Sequence, residues 1–169
     1  MRDLFGDEGY SGLERSALIS TCDQFRYWLR REYRRGGDGR EVCFVMLNPS
    51  RADADRDDPT VRRCLGFVRS WGFSSLVVRN LFAYRATNPA HLLAVTDPIG
   101  PRNDEELLQC RWSDLIVAAW GASVPFARDR KVLELLSGVP FHCIGRTKGG
   151  RPRHPLYAPA SSVPVPFLF

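Results

Sequence analysis

The sequence predicts an α/β fold: a three-layer sandwich with a central, mainly parallel four-stranded sheet, plus an antiparallel strand at its N-terminal edge. Three observations carry this. Apolar runs of strand length recur at 41–47, 76–82, 114–120 and 140–145, and they are continuous rather than alternating, as in strands covered on both faces. Segments with helical spacing separate these runs. Cap and turn residues stand at the joints, among them Asp58-Pro59, Asn88-Pro89 and Gly138.

The elements follow in order. Residues 25–33, rich in Tyr, Trp and Phe, read as a strand. "RRGGDG" supplies turn chemistry, so this strand and 41–47 are expected to form a hairpin. Asp58 and Pro59 suit an N-cap and the first helical position. Val61, Leu65, Val68 and either Trp71 or Cys64 then share a face, and Gly72 closes the helix. After the strand 76–82, Asn88-Pro89 opens a short helix. Asn103 and Glu106 have capping-box spacing for a helix over 104–112. A strand at 114–120, a helix over 126–137 and a strand at 140–145 complete the pattern. With 169 residues, 44% hydrophobic, the chain suits a single domain, 1–169, with its core over 24–158; 1–20 and 159–169 are expected to be peripheral.

Charge and cysteines narrow the function classes. Twenty-four basic residues face 19 acidic ones, net +5, concentrated in "RYWLRREYRR" (26–35) and "RTKGGRPRH" (146–154). Such stretches point to a nucleic acid or nucleotide partner, against the alternative of a solvated rim. The five cysteines are dispersed, odd in number and without CxxC, and no signal peptide is evident, so a reducing, cytoplasmic setting is expected. No apolar run reaches membrane-spanning length. Neither a P-loop nor GxGxxG nor GxSxG occurs, and no cofactor is expected. Asp53, Asp55 and Asp57 imitate the start of a calcium loop, yet Asp58 stands where glycine belongs and Cys64 where glutamate belongs. The acidic loop thus reads as solvated, with a magnesium site or a general base as the alternative; no metal ligand is assigned.

Polar residues gather where parallel strands end, which is where open α/β sheets bind ligands. The first core strand ends at Asn48-Pro49-Ser50. The second ends at Asn80 and continues to Phe82, Tyr84 and Arg85, the third ends at Trp120, and Arg146, Lys148, Arg151, Arg153 and His154 follow the fourth. Singly, each has a plainer reading: Asn48-Pro49 as a helix start, Phe82 as a core aromatic, His154 as a surface histidine.

Four ordered motifs, "VMLNPSRADADRDDPTVRRC", "VVRNLFAYRATNP", "DLIVAAWG" and "GRPRHPLY", resemble a bacterial and phage family, domain of unknown function family 1643, over roughly residues 24–158. A more distant resemblance is to the uracil-DNA glycosylase superfamily. Its members carry Asn-Pro or Asp-Pro after the first core strand, a base-reading Asn at the end of a middle strand and a late His-Pro-Ser loop. Asn48-Pro49, Asn80 and His154-Pro155 are similar, whereas Ser50 and Leu156 depart from that pattern. This second resemblance implies a glycosylase-like hydrolase acting on a modified or damaged base. Asn48, His154 and Asp58 would be its catalytic group. Asn80, Phe82, Tyr84, Pro49 and Ser50 would bind the base, and Arg85, Arg146, Lys148, Arg151 and Arg153 the phosphates. A non-catalytic nucleotide- or nucleic-acid-binding module, or another nucleobase-modifying enzyme using the loop Asp53–Asp58, are the alternatives.

Overall fold

In the computed structural model, which describes residues 11–50 and 52–168, the chain forms seven strands: β1 (Ser11–Ile19), β2 (Arg26–Arg35), β3 (Glu41–Met46), β4 (Ser75–Asn80), β5 (Leu115–Ala118), β6 (Phe141–Cys143) and β7 (Val165–Pro166). Its α-helices are α1 (Pro59–Ser70), α2 (Asn103–Leu108) and α3 (Arg128–Leu135). All seven strands share one mixed sheet, ordered β1-β2-β4-β3-β5-β6-β7. The β3–β4, β3–β5 and β5–β6 pairs are parallel; β1–β2, β2–β4 and β6–β7 are antiparallel.

Continuous apolarity in the central strands has a direct cause. Val42, Phe44 and Met46 of β3 pack in one cluster with Val61, Cys64, Leu65, Phe67 and Val68 of α1. The alternate residues Cys43 and Val45 join a second cluster with Leu107, Cys110, Val132 and Leu133. Successive strand side chains point to opposite faces, so both faces need apolar residues when helices cover both. Asp58 caps α1 as expected, its Oδ1 accepting from the Val61 N–H at 2.8 Å. Asn88 likewise caps a 3₁₀ turn, Pro89–Leu93.

Four expectations need correction. The hairpin does not form, because β4 lies between β2 and β3. The glycine turn instead folds over the start of β4: Ser74 Oγ donates to the Gly36 carbonyl at 3.0 Å and accepts from the Gly39 N–H at 2.7 Å. Gly37 permits this close approach, having φ +72°, and a Cβ there would lie 2.7 Å from the Phe73 carbonyl oxygen. Gly37→Ala is expected to lower stability by about 1–3 kcal/mol. A chemical denaturation midpoint equal to wild type would contradict that.

Second, the sheet is mixed and larger than four strands, because both terminal segments join it. Residues 11–19 pair with β2, and β7 pairs with β6 while Phe167 is buried against Trp120, ring centroids 6.0 Å apart. Third, Asn103 does not cap. Its amide enters the interior and donates to the Asn80 and Leu81 carbonyls at 3.1 and 3.0 Å. Fourth, α3 begins at Arg128 because Phe126 and Ala127 have positive φ, 56° and 48°. No described helix is long and apolar enough to cross a membrane.

Candidate functional site

From β3 the chain passes through α1 to β4, on one side of β3; from β5 it passes through α3 to β6, on the other. Adjacent parallel strands whose connections leave in opposite directions open a crevice at their carboxyl ends. A cavity of about 310 Å³ lies there, at the lower end of the ~300–1,000 Å³ range of small-ligand sites. Met46, Leu47 and Asn48 line it from the end of β3, Asn80 from β4, and Trp120 from beyond β5. His154 reaches it from the loop after β6. Ser50, Asp58, Thr60 and Thr87 contribute further polar groups, and Arg26 enters from the start of β2.

Local hydrogen bonds fix most of these groups. The Asn48 amide nitrogen donates to the Pro49 and Ala86 carbonyls, at 3.0 and 2.8 Å, which sets the orientation of its Oδ1. Asp58 accepts from the Ser50 hydroxyl through Oδ2 at 2.6 Å while its Oδ1 caps α1. The end of β4 is braced from behind: besides Asn103, the Arg128 Nε donates to the Leu81 carbonyl at 2.9 Å. Asn80 is thereby held at the cavity wall, 1% exposed.

Three donors at this site lack an acceptor. Asn80 Nδ2, Trp120 Nε1 and Arg26 Nε are buried and have no partner among the described residues. Arg26 does donate through Nη1 to the Ala52 carbonyl at 2.6 Å. Burial pulls its guanidinium down to about 10, against the opposing pull of Asp58. Leaving a buried donor unmade costs about 1–3 kcal/mol, and all three of these belong to residues that line the cavity.

His154 supplies a fourth donor. Its Nδ1 accepts from the Leu156 N–H at 3.3 Å, which assigns the proton of the neutral ring to Nε2. Burial depresses its pKa below the usual 6.5, with Asp58 opposing that shift. The ring is therefore a neutral Nε2–H donor at neutral pH.

The other sequence-predicted residues lie elsewhere. Pro49 is buried beside the cavity without lining it. Phe82 is fully buried in the core and meets Phe126 edge-on. Tyr84 packs edge-on against Phe25, 6.1 Å between centroids. Arg85, which pairs with Asp23, lines a polar pocket sharing Ser50, Ala86 and Thr87 with the cavity. Arg151 pairs with Asp129, and Arg146 donates to the Leu168 carbonyl at 2.9 Å. Arg153 donates to the Arg146 carbonyl at 3.1 Å, and Lys148 is exposed on the same hairpin. Four of the five cations thus share the 146–153 hairpin, where Arg146 and Arg151 line one pocket, and Arg85 lies apart from them beside Asp23.

The acidic loop has internal work. Asp53 Oδ1 accepts from the Asp55 and Arg56 N–H groups, and Asp57 pairs with Arg31 and Arg15. No group of three His, Cys, Asp or Glu side chains suited to a metal occurs among the described residues. The residue sequence reasoning missed is Arg26, which sits in the basic segment 26–35 and reads there as surface charge. It is only 3% exposed at the start of β2, with its guanidinium turned to the Ala52 carbonyl.

The chain belongs to the family described as protein of unknown function (DUF1643), whose model matches residues 26–156. No curated protein and no solved structure matches it.

Proposed function

We propose that the cavity holds a nucleobase and that the protein hydrolyses the N-glycosidic bond of a modified or damaged base in a nucleic acid. The observation that carries this is the set of unpartnered donors, Asn80 Nδ2, Trp120 Nε1 and Arg26 Nε, on residues lining one cavity. Arg26 faces the balancing charge of Asp58, so the ligand that fits is rich in acceptors yet uncharged. A nucleobase, with carbonyl oxygens and ring nitrogens in one plane, has that character. The likeness of Asn48-Pro49, Asn80 and His154-Pro155 to the uracil-DNA glycosylase superfamily supports the same reading.

In this mechanism the base leaves its stack and Asn80 reads its edge. As the bond from the anomeric carbon breaks, its electron pair moves onto the base and charge grows on a carbonyl oxygen. His154 Nε2–H donates to that oxygen. Asn48 Oδ1 holds the attacking water, whose hydroxyl joins the anomeric carbon and whose proton leaves to solvent or the departing base. Asn80→Leu, which removes the edge-reading amide, is expected to weaken base binding about tenfold or more, measured by calorimetry; equal affinity would count against its role.

One observation favours a second reading, a module that binds a nucleotide or base without cleaving it. Asp58, the carboxylate at the cavity, is engaged through both oxygens. Oligonucleotides of DNA and RNA containing uracil, hypoxanthine and modified pyrimidines separate the two. Formation of abasic sites supports hydrolysis; selective binding without abasic sites supports the module. Indifference to the base across the panel would reject both.

A further inference from the structure

Apart from the hairpin that carries Arg146, Lys148, Arg151 and Arg153, a second set of arginines gathers along α1. A groove of about 580 Å³ runs along the outer side of α1, lined by Arg62, Arg63, Arg69 and Gly66 together with Tyr33 of β2. No carboxylate lines it among the described residues. Its cations are positioned by the fold: Arg63 lies over the Phe67 ring at 5.1 Å and Arg69 over the Tyr33 ring at 5.9 Å. Arg62 donates to the Asp57 carbonyl at 2.8 Å and Arg63 to the Ala158 carbonyl at 2.5 Å. Gly66 leaves the middle of this face without a side chain.

The groove and the cavity meet. Pro59 and Leu156 line both. At that junction the 3₁₀ turn Pro155–Tyr157 presents Leu156, 47% exposed, and Tyr157, 77% exposed. The Tyr157 ring stands 5.8 Å from the His154 ring. An exposed aromatic next to Leu156, where an acid-free arginine groove meets a base-sized cavity, is the combination that single-stranded nucleic acid uses, with cations along the backbone and a ring beneath a base.

We propose that the α1 groove binds the phosphodiester backbone of a single strand of nucleic acid, with Tyr157 stacking on the base next to the one that enters the cavity. This rests on the reading that the cavity takes a nucleobase. The buried residues at the cavity wall, Asn80 at 1% and Trp120 at 3% exposure, require a base out of its pair, and a single strand supplies one without the cost of flipping it from a duplex.

The test is fluorescence anisotropy with a labelled single strand of about 12 nucleotides, across a salt series. Arg62→Gln/Arg69→Gln is expected to weaken binding about tenfold at 0.15 M salt and to flatten the logarithmic salt dependence by about 1.4. Tyr157→Ala is expected to weaken it roughly five- to 100-fold. Arg62→Lys, which keeps the charge on an exposed position, retains most of the affinity and salt slope. Free uracil or hypoxanthine, titrated separately, binds all of these variants as it binds wild type. Wild-type affinity and slope in the folded double variant would overturn the groove, as would tighter binding of the matching duplex than of the single strand. If the nucleobase reading alone is wrong, the strand still binds through the arginines, while free bases do not bind and base identity has no effect.

Discussion

His154→Ala is expected to lower turnover about 100- to 1000-fold while leaving salt-sensitive nucleic-acid binding intact, because removing one donor to developing charge costs about that much. The geometry gives this residue a defined state. Nδ1 is occupied by the Leu156 N–H, so the neutral ring carries its proton on Nε2. Burial, the dominant influence, keeps the ring neutral below the usual 6.5 despite Asp58. The sign for stability follows. In the unfolded chain His154 titrates near 6.5, and in the folded chain lower. Between the two the unfolded state binds more protons, so this group's contribution to stability declines as pH falls from about 6.5 towards the folded value. Single-turnover assays of His154→Ala beside His154→Gln, with binding measured separately, check the role. Wild-type turnover in both variants would reject it.

Asp57→Ala is expected to cost about 3–5 kcal/mol of folding stability, the largest structural effect in the acidic loop. Arg31 has no exposed surface, and its Nε donates to Asp57 Oδ1 at 2.7 Å. Its remaining N–H groups reach the carbonyls of Asp53 at 2.6 Å and Arg30 at 2.8 Å. Removing the carboxylate leaves a guanidinium in the interior with carbonyls alone to answer its charge, which costs far more than losing a surface pair. Asp55 provides the contrast: it is exposed, and Asp55→Ala is expected to stay within about 0.5 kcal/mol of wild type. Urea denaturation of both variants measures the difference. Equal midpoints would show that the acidic loop is the solvated feature its composition suggests.

That loop shows how far the sequence could be read. Four carboxylates after a core strand invite a rim or a metal, yet Asp57 belongs to Arg31, Asp58 to the start of α1, and Asp53 to its own turn. The partner that explains Asp57 lies 26 residues upstream, within a segment whose five arginines look uniformly solvent-facing. Charge alone does not say which residue of a basic strand turns inward; that depends on β2 lying against β4, a pairing the Gly-rich turn disguised as a hairpin. Arg26 was hidden for the same reason.

Local rules served better. Apolar runs located the central strands, and the Asp-Pro and Asn-Pro pairs marked real caps. The expectation that ligands collect at strand ends brings Asn48, Asn80, Ser50, Asp58 and His154 to one cavity. What failed were features set by distant contacts. The terminal strands carry too little apolar pattern to announce themselves, and Asn103, with capping-box spacing, is drawn inward by the carbonyls at the end of β4.

A crystal structure with a soaked nucleobase tests the account most directly. The predicted result is a planar ligand in the cavity at the ends of β3 and β5, with its acceptors within hydrogen-bond distance of Asn80 Nδ2 and Trp120 Nε1. A base seated elsewhere, with those two N–H groups satisfied by water or by the protein itself, would contradict it.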